Sequence, residues 1–151
     1  MTGVQTCALP IWQSLEDLAR RIKVLSRVEF LGRVDQDDLA DCYSAADILV
    51  LPSSREGWPN VLLESMACGT PVVATAVGGI PEILTSPSVG RLMQKRTAMD
   101  LVKAVTDLWG HLPDRSMVQQ RAEQCGWQKT TQAQIALFKR VAANSQGHLY
   151  A

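Results

Sequence analysis

Residues 53–68 contain the side chains of this sequence that are best suited to chemistry. They read SSREGWPNVLLESMAC, in which Glu56 and Glu64 are separated by seven residues. The pattern from Pro59 onward predicts a helix with proline at its first position and a glycine just past its end. That helix is apolar around most of its circumference, and only Asn60 and Glu64, one turn apart, form a polar stripe. We therefore expect the helix to be buried and the Glu64 carboxylate to need a hydrogen-bonding partner.

Three kinds of partner are considered for a buried carboxylate at position 64. The first is structural, either an ion pair or a cluster of backbone N–H groups. A metal is not expected, because the segment has no His, no Asp and no ligand spacing, and His111 and His148 lie far along the chain. The third is a ligand with adjacent hydroxyls, since a carboxylate accepts two hydrogen bonds side by side, as acidic residues do on ribose.

The start of this helix favours the third partner. Its unpaired N–H groups, together with Gly57, form an anion site about 6 Å from Glu64, at 1.5 Å of helix rise per residue. A phosphate site beside a ribose site indicates a nucleotide. A dinucleotide-binding fold of the NAD type is not supported, because no G-x-G-x-x-G follows a strand and opens a helix.

The composition excludes several other functions. Fifteen basic and fifteen acidic side chains give a net charge of zero, which argues against nucleic acid as a partner. Mean hydropathy is near zero and no apolar run approaches twenty residues, so no membrane span is expected. Four scattered cysteines fit a reducing compartment, and we expect a cytoplasmic protein.

The first eleven residues, MTGVQTCALPI, differ from the rest because they contain no charged side chain. They lack the basic region of a signal peptide, and Pro10 interrupts their apolar part. The string resembles the conceptual translation of a sequencing adapter. We therefore interpret residues 1–11 as non-native, residues 12–144 as one domain, and residues 145–151 as a tail.

Strands and helices are predicted to alternate along the remaining chain. The expected strands are residues 27–31, 47–52, 71–75 and 89–93. The first four expected helices are residues 15–25, one capped by Asp35, residues 59–68 and a short piece at 81–84. One capped by Thr97 follows, and then two more, with breaks between helices at residues 110–113 and near Gly126. Their expected apolar faces are Leu15, Leu18, Ala19, Ile22 and Leu25 in the first; Leu39, Cys42, Tyr43 and Ala46 in the second; Leu101, Val102, Val105, Leu108 and Trp109 after Thr97; and Trp127, Ile135, Phe138 and Ala142 in the last.

Each predicted strand is a continuous apolar run, which is typical of a parallel sheet covered on both faces. The fold class is therefore a doubly wound α/β domain. Such sheets bind ligands at the carboxyl ends of their strands, so the loops after Leu31, Pro52 and Thr75 are the expected binding region.

The segment SSREGWPNVLLESMACGTPVVATAVGGIPE, residues 53–82, closely resembles the signature of the retaining glycosyltransferases of family 4. The motifs RVEFLGRV, YSAAD and VGRLM and the helix with Trp127 follow in the family's order, so the resemblance covers residues 15–141. It implies the Rossmann-like C-terminal half of the two-domain GT-B architecture, incomplete at its N-terminal sheet edge.

The resemblance also implies roles for particular residues. Glu64 is expected to bind the ribose hydroxyls, and Glu56 to lie at the donor sugar and the reaction centre. Backbone N–H groups from Gly57 through Trp58 and Asn60 to Val61 are expected to meet the sugar hydroxyls and the distal phosphate. Trp58 either lines the sugar pocket or staples the entry of the helix.

The loop of residues 32–35 resembles the segment that contacts the donor base, which places Arg33 and Val34 at the base. Two simpler interpretations stay open here. Arg33 and Arg55 are equally well explained as solvated surface charges, and Gly78 and Gly79 as a turn.

The implied reaction moves a glycosyl group from a nucleoside diphosphate to an acceptor hydroxyl, with retention and without a metal or a resident cofactor. The implied acceptor is a glycan or a lipid-linked molecule in polysaccharide or surface-glycan synthesis, held by an N-terminal domain, with peripheral membrane association of the intact protein. The fragment alone is expected to be inactive, because the first strand that supplies an Arg and a Lys to the diphosphate is missing. The alternatives are a non-catalytic nucleotide-sugar-binding or structural remnant and, less well matched by residues 56–71, a sugar-nucleotide epimerase.

Overall fold

The computed structural model describes residues 9–146 and divides the chain into two compact units between Asp35 and Gln36. The first unit contains helix α1, Leu9–Arg21, and a 3₁₀ turn, Leu25–Arg27. The Trp12 and Phe30 rings are tilted against each other with centroids 5.3 Å apart. Helix α1 begins at Leu9, earlier than the expected residue 15 and inside the stretch of residues 1–11 interpreted as adapter-derived. Of its predicted apolar face, only Ala19 is buried.

The prediction of a strand at residues 27–31 is wrong. The backbone is extended at Val28, with φ −120° and ψ 126°, but the sheet of the described residues consists of three other strands. An extended segment becomes a strand only when a neighbouring chain pairs with its N–H and C=O groups. The apolar pattern of this segment predicts an extended backbone, but it does not predict whether another strand pairs with that backbone.

The second unit contains the remaining helices and all three strands. The helices are α2 Gln36–Ala45, α3 Asn60–Ala67, α4 Ile80–Ile83, α5 Ala98–Gly110, α6 Arg115–Gln124 and α7 Trp127–Gln146. The strands are β1 Leu49–Leu51, β2 Val72–Thr75 and β3 Gly90–Met93.

The three strands form a parallel sheet in the order β1, β2, β3, with Val50 opposite Val73 and Val73 opposite Arg91. Successive side chains of β2 enter two separate cores. Val72 packs with Leu62 of α3 and its neighbours on one face, whereas Val73 packs with Leu108 of α5 on the other. The predicted parallel sheet with helices on both faces is therefore confirmed.

Two of the predicted helix ends are confirmed, the Thr97 cap and the glycine just past the third predicted helix. The Asp100 amide donates to Thr97 Oγ1 at the start of α5, and Gly69 adopts φ +80° just past α3. The placement of Pro59 was wrong by one residue. Its ψ of 100° is extended, so Pro59 is the N-cap and Asn60 is the first helical residue.

Several predicted apolar faces are more exposed than expected. Leu39, Cys42 and Tyr43 of α2, and Ala46 just after it, are only half-buried. On α5 the sheet covers the side of Leu108, whereas Val102 and Trp109 are more than half exposed. On α7 the side chains of Ile135, Phe138 and Ala142 are exposed, and that of Trp127 lies outside the described residues. An apolar stripe is thus buried only where another element packs on it.

The Thr70 side chain joins the C-terminal ends of α2 and α3. Thr70 is fully buried, and its hydroxyl lies 2.6 Å from the Tyr43 carbonyl oxygen, to which it donates. The same hydroxyl accepts from Arg115 Nη2, which also donates to the carbonyl oxygens of Ser44 and Cys68. Thr70 and Arg115 thus donate hydrogen bonds to carbonyl groups at the C-terminal ends of both helices.

Replacing Thr70 by Val keeps the shape of the side chain and removes the hydroxyl. We expect Thr70→Val to lower the free energy of unfolding by about 1–3 kcal/mol, because buried hydrogen-bonding groups lose their partner. Urea denaturation measures this change. The matched control is Thr106→Val on the exposed side of α5, which is expected to stay near the parent value. Equal stability of the two variants would contradict the structural role of the Thr70 hydroxyl.

Candidate functional site

The loop that carries Glu56 rests on the Gly78–Gly79 turn after β2. Gly78 has φ +54°, and a Cβ atom there would lie 1.8 Å from the carbonyl oxygen of Glu56. The Gly79 amide donates to the Gly57 carbonyl oxygen at 2.9 Å, and the Trp58 ring lies where a side chain at Gly79 would be. Gly78 and Gly79 are therefore more than a turn, because only residues without a side chain allow this close approach.

Two further hydrogen bonds hold the same loop. Arg96, in the loop after β3, donates from Nε to the Pro52 carbonyl oxygen at 2.6 Å. Within the loop, Ser53 Oγ donates to Glu56 Oε1 at 2.6 Å. The loops that follow all three strands therefore meet at one end of the sheet, where ligands bind in folds of this class.

Helix α3 exposes its first residue, Asn60, and one of its sides to solvent. Its buried side consists of Leu62, Ser65 and Met66. The N-cap Pro59 makes no side-chain hydrogen bond to the helix, so no cap side chain occupies the first-turn amides. Such amides, with the positive end of the helix dipole, favour an anion.

The prediction that Glu64 is buried is wrong. Asn60, Glu64 and Ala67 are exposed and lie along one side of α3, four and three residues apart. The helix packs against the sheet, α2 and α6, and these contacts leave its polar stripe exposed. Glu64 therefore needs no buried counter-charge, and its carboxylate is accessible to a ligand.

The partner of Glu64 in this structure is a tyrosine. The Tyr43 hydroxyl of α2 donates to Glu64 Oε2 at 3.2 Å. Burial of the Tyr43 ring raises the pKa of its hydroxyl, and the Glu64 hydrogen bond and charge raise that pKa further, because both favour the neutral phenol.

Two cavities meet at Glu64. One of about 870 Å³ is lined by Trp58, Asn60 and Glu64, with Glu82 and Glu123 on its farther walls. A smaller one of about 230 Å³ lies between α2 and α3 and includes Tyr43. No basic side chain lines the larger cavity within the described residues, so its carboxylates suit the hydroxyls of a ligand better than its phosphates.

The structure brings together six of the predicted site residues. Glu56, Gly57, Trp58, Asn60, Val61 and Glu64 all lie on the loop after β1 or on α3. Arg33 and Val34 belong to the first unit, where Arg33 is exposed and Val34 half-buried.

Three contributions to the site were missed by sequence reasoning. Tyr43 was expected as part of an apolar helix face and of the YSAAD motif, and nothing in the spacing of two residues 21 positions apart pairs it with Glu64. Arg96 was not singled out, and its partner is 44 positions away. Gly78 and Gly79 carried a signal, since adjacent glycines often mark a close backbone approach.

Residues 9–146 contain neither a metal-binding cluster nor a membrane-spanning helix. No three His, Cys, Asp or Glu side chains in residues 9–146 are grouped so that they could hold a metal ion. Among the same residues, no helix has the length and apolar character needed to cross a membrane.

Comparison with known proteins identifies the family. The family described as "Glycosyl transferases group 1" matches residues 7–111. D-inositol 3-phosphate glycosyltransferase 2 of Catenulispora acidiphila is 37% identical over 131 residues, which cover 83% of this chain and 30% of that protein. The chain therefore belongs to the group 1 glycosyltransferases, and its doubly wound fold corresponds to the C-terminal half of their GT-B architecture.

Two solved structures resemble the fold. Sucrose-phosphate synthase from Thermosynechococcus elongatus has a TM-score of 0.72 and 28% identity, and the match covers 87% of this chain and 34% of that one. Anabaena HepE in complex with UDP has a TM-score of 0.71 and 25% identity, over 90% of this chain and 38% of that one. The chain thus spans about a third of the length of these relatives.

Replacing Glu64 by Gln removes the negative charge beside Tyr43. We expect Glu64→Gln to lower the pKa of Tyr43 toward its ordinary value, because a neutral amide no longer disfavours the tyrosinate. Ultraviolet titration of tyrosinate measures this shift, and Tyr43→Phe isolates its signal from that of Tyr150. As a control, Glu123→Gln is expected to leave the titration unchanged. An unaltered Tyr43 titration in Glu64→Gln is the result that rules out the contact.

Proposed function

We propose that this chain forms the donor-binding half of a retaining, metal-independent glycosyltransferase. It binds a nucleoside diphosphate sugar and supports transfer of the sugar to an acceptor hydroxyl. The observation that carries the proposal is the geometry of α3, where the exposed Glu64 carboxylate lies one turn from amides that no cap side chain occupies. Family membership and the match to a UDP-bound structure support the same donor class.

Each part of the donor has a proposed counterpart in the chain. The ribose hydroxyls donate to Glu64, and the backbone N–H groups of Gly57, Trp58, Asn60 and Val61 donate to the diphosphate and the sugar. Trp58, nearly half exposed on the wall of the larger cavity, offers an apolar surface to the sugar ring. Arg33 and Val34 are proposed at the base, as the family resemblance implies.

The proposed reaction breaks the bond between the anomeric carbon and a diphosphate oxygen and forms a bond to the acceptor oxygen, whose proton passes to the departing diphosphate. Negative charge then develops on the departing diphosphate, while the sugar becomes oxocarbenium-like. Preorganised amides at the start of α3 stabilise that negative charge, and removing one such donor in comparable sites slows reaction by roughly 10²–10³. Glu56, held by Ser53, orients the sugar and offsets positive charge on its ring.

The acceptor is proposed from the relatives and not from the site. Similar proteins are named for D-inositol 3-phosphate and for sucrose phosphate, which are small phosphorylated compounds. They favour a small polyol or sugar acceptor as a second candidate beside the glycan or lipid-linked acceptor of polysaccharide synthesis. The cytoplasmic location and the peripheral membrane association of the intact protein stay predictions.

Removing the Glu64 carboxylate tests the ribose assignment. We expect the chain to bind at least one of UDP, GDP and ADP, and Glu64→Ala to weaken that binding roughly 10- to 100-fold, since two charge-assisted hydrogen bonds are lost. Isothermal titration calorimetry measures both affinities.

The matched control is Asp41→Ala, which removes an exposed carboxylate from the neighbouring helix α2. This variant is expected to bind like the parent chain. Equal affinities of the parent chain and Glu64→Ala would overturn the ribose assignment. If none of the three nucleotides binds, the donor-binding proposal itself is wrong.

A further inference from the structure

The hydrogen bond between Tyr43 and Glu64 uses only one of the two carboxylate oxygens. Tyr43 donates to Oε2, and no group among the described residues donates to Oε1. A carboxylate has about four acceptor positions, so one phenol hydroxyl leaves most of its capacity to a ligand. The contact therefore fixes the carboxylate without occupying it.

We propose that Tyr43 is a positioning residue, which holds the Glu64 carboxylate in the orientation that receives the ribose hydroxyls of the donor. This inference rests on the proposed function, because it assumes that Glu64 binds the ribose. Tyr43 itself is not proposed to contact the donor, and it acts only through Glu64.

A positioning partner matters at this place because Glu64 is exposed. An exposed glutamate populates many rotamers. A ligand that binds only one of them binds more weakly, because ordering the side chain costs conformational entropy. A hydrogen bond from a fixed donor restricts these rotamers before the ligand arrives. The carboxylate is then already oriented to receive both ribose hydroxyls when the ligand binds.

Tyr43 is a suitable donor because its own position is fixed. Its ring is half-buried, and its backbone carbonyl accepts the hydrogen bond from the buried Thr70 hydroxyl. Thr70 is bonded in turn to the end of α3, since its amide donates to the Ser65 carbonyl oxygen at 3.0 Å. The distance between Tyr43 on α2 and Glu64 on α3 is therefore set by the junction of the two helices.

The position of Glu64 between the two cavities agrees with this role. Tyr43 lines only the smaller cavity, whereas Trp58 and Asn60 line only the larger one, and Glu64 lines both. The tyrosine thus anchors the carboxylate from the side of the helix junction, away from the first turn of α3. The larger cavity stays open to the hydroxyls of a ligand.

The test compares Tyr43→Phe with the parent chain, using whichever of UDP, GDP and ADP binds most tightly and its 2′,3′-dideoxy counterpart. Phenylalanine keeps the ring and removes only the hydroxyl, and thermal melting checks that the variant folds. We expect Tyr43→Phe to weaken binding of the ribonucleotide about three- to tenfold, in line with the loss of one hydrogen bond to a charged group. Binding of the dideoxy nucleotide is expected to change less than twofold.

Two further variants complete the experiment. Ser44→Ala removes a hydroxyl from the adjacent position of α2, whose side chain is exposed, and is expected to bind like the parent chain. In a Glu64→Ala background, Tyr43→Phe is expected to have no additional effect, because the group it positions is gone.

The outcomes separate this inference from the proposed function. An unchanged ribonucleotide affinity in Tyr43→Phe, or an equal loss with the dideoxy nucleotide, overturns the positioning role while Glu64→Ala still tests the ribose contact. Absence of binding by the parent chain overturns the proposed function, and the positioning role is rejected with it. A loss confined to nucleotides with ribose hydroxyls supports the role, because a general structural defect affects both ligands.

Discussion

The hydroxyl of Thr70 is the interaction on which the arrangement of the site depends. It carries a single proton and lies 2.6 Å from the Tyr43 carbonyl oxygen, while Arg115 donates to its lone pair. This bond fixes the end of α2 against the end of α3, and so fixes Tyr43 relative to Glu64. A polar group buried inside the fold is thereby linked, through two helices, to an exposed carboxylate.

The second constraint acts on the loop before α3. The Glu56 carbonyl oxygen occupies the space that a side chain at Gly78 would need, and the Gly79 amide bonds to Gly57. Because β1 and β2 are adjacent and parallel, the loops that follow them lie side by side. Packing of backbone on backbone therefore places Glu56 and the start of α3 at the open end of the sheet.

Sequence reasoning predicted the parts of this structure that depend on local pattern. The parallel strands, the Thr97 cap and the helix beginning near Pro59 follow from apolar runs and from residues with fixed backbone preferences. It failed where the outcome depends on distant neighbours. Residues 27–31 have the composition of a strand but no partner among the described residues, and Glu64 is exposed because the sheet and α6 cover other sides of α3. The role of Glu64 at the ribose stays a prediction, and the exposure of its carboxylate leaves it accessible to a ligand.

The central claim is that α3 holds a nucleoside diphosphate at its first turn and a ribose at Glu64. A crystal structure of the chain with bound UDP tests that claim most directly. We predict the diphosphate against the backbone N–H groups of Gly57, Trp58, Asn60 and Val61, and both ribose hydroxyls within hydrogen-bonding distance of the Glu64 carboxylate. A structure in which UDP binds elsewhere, or in which the ribose hydroxyls leave Glu64 uncontacted, would contradict it.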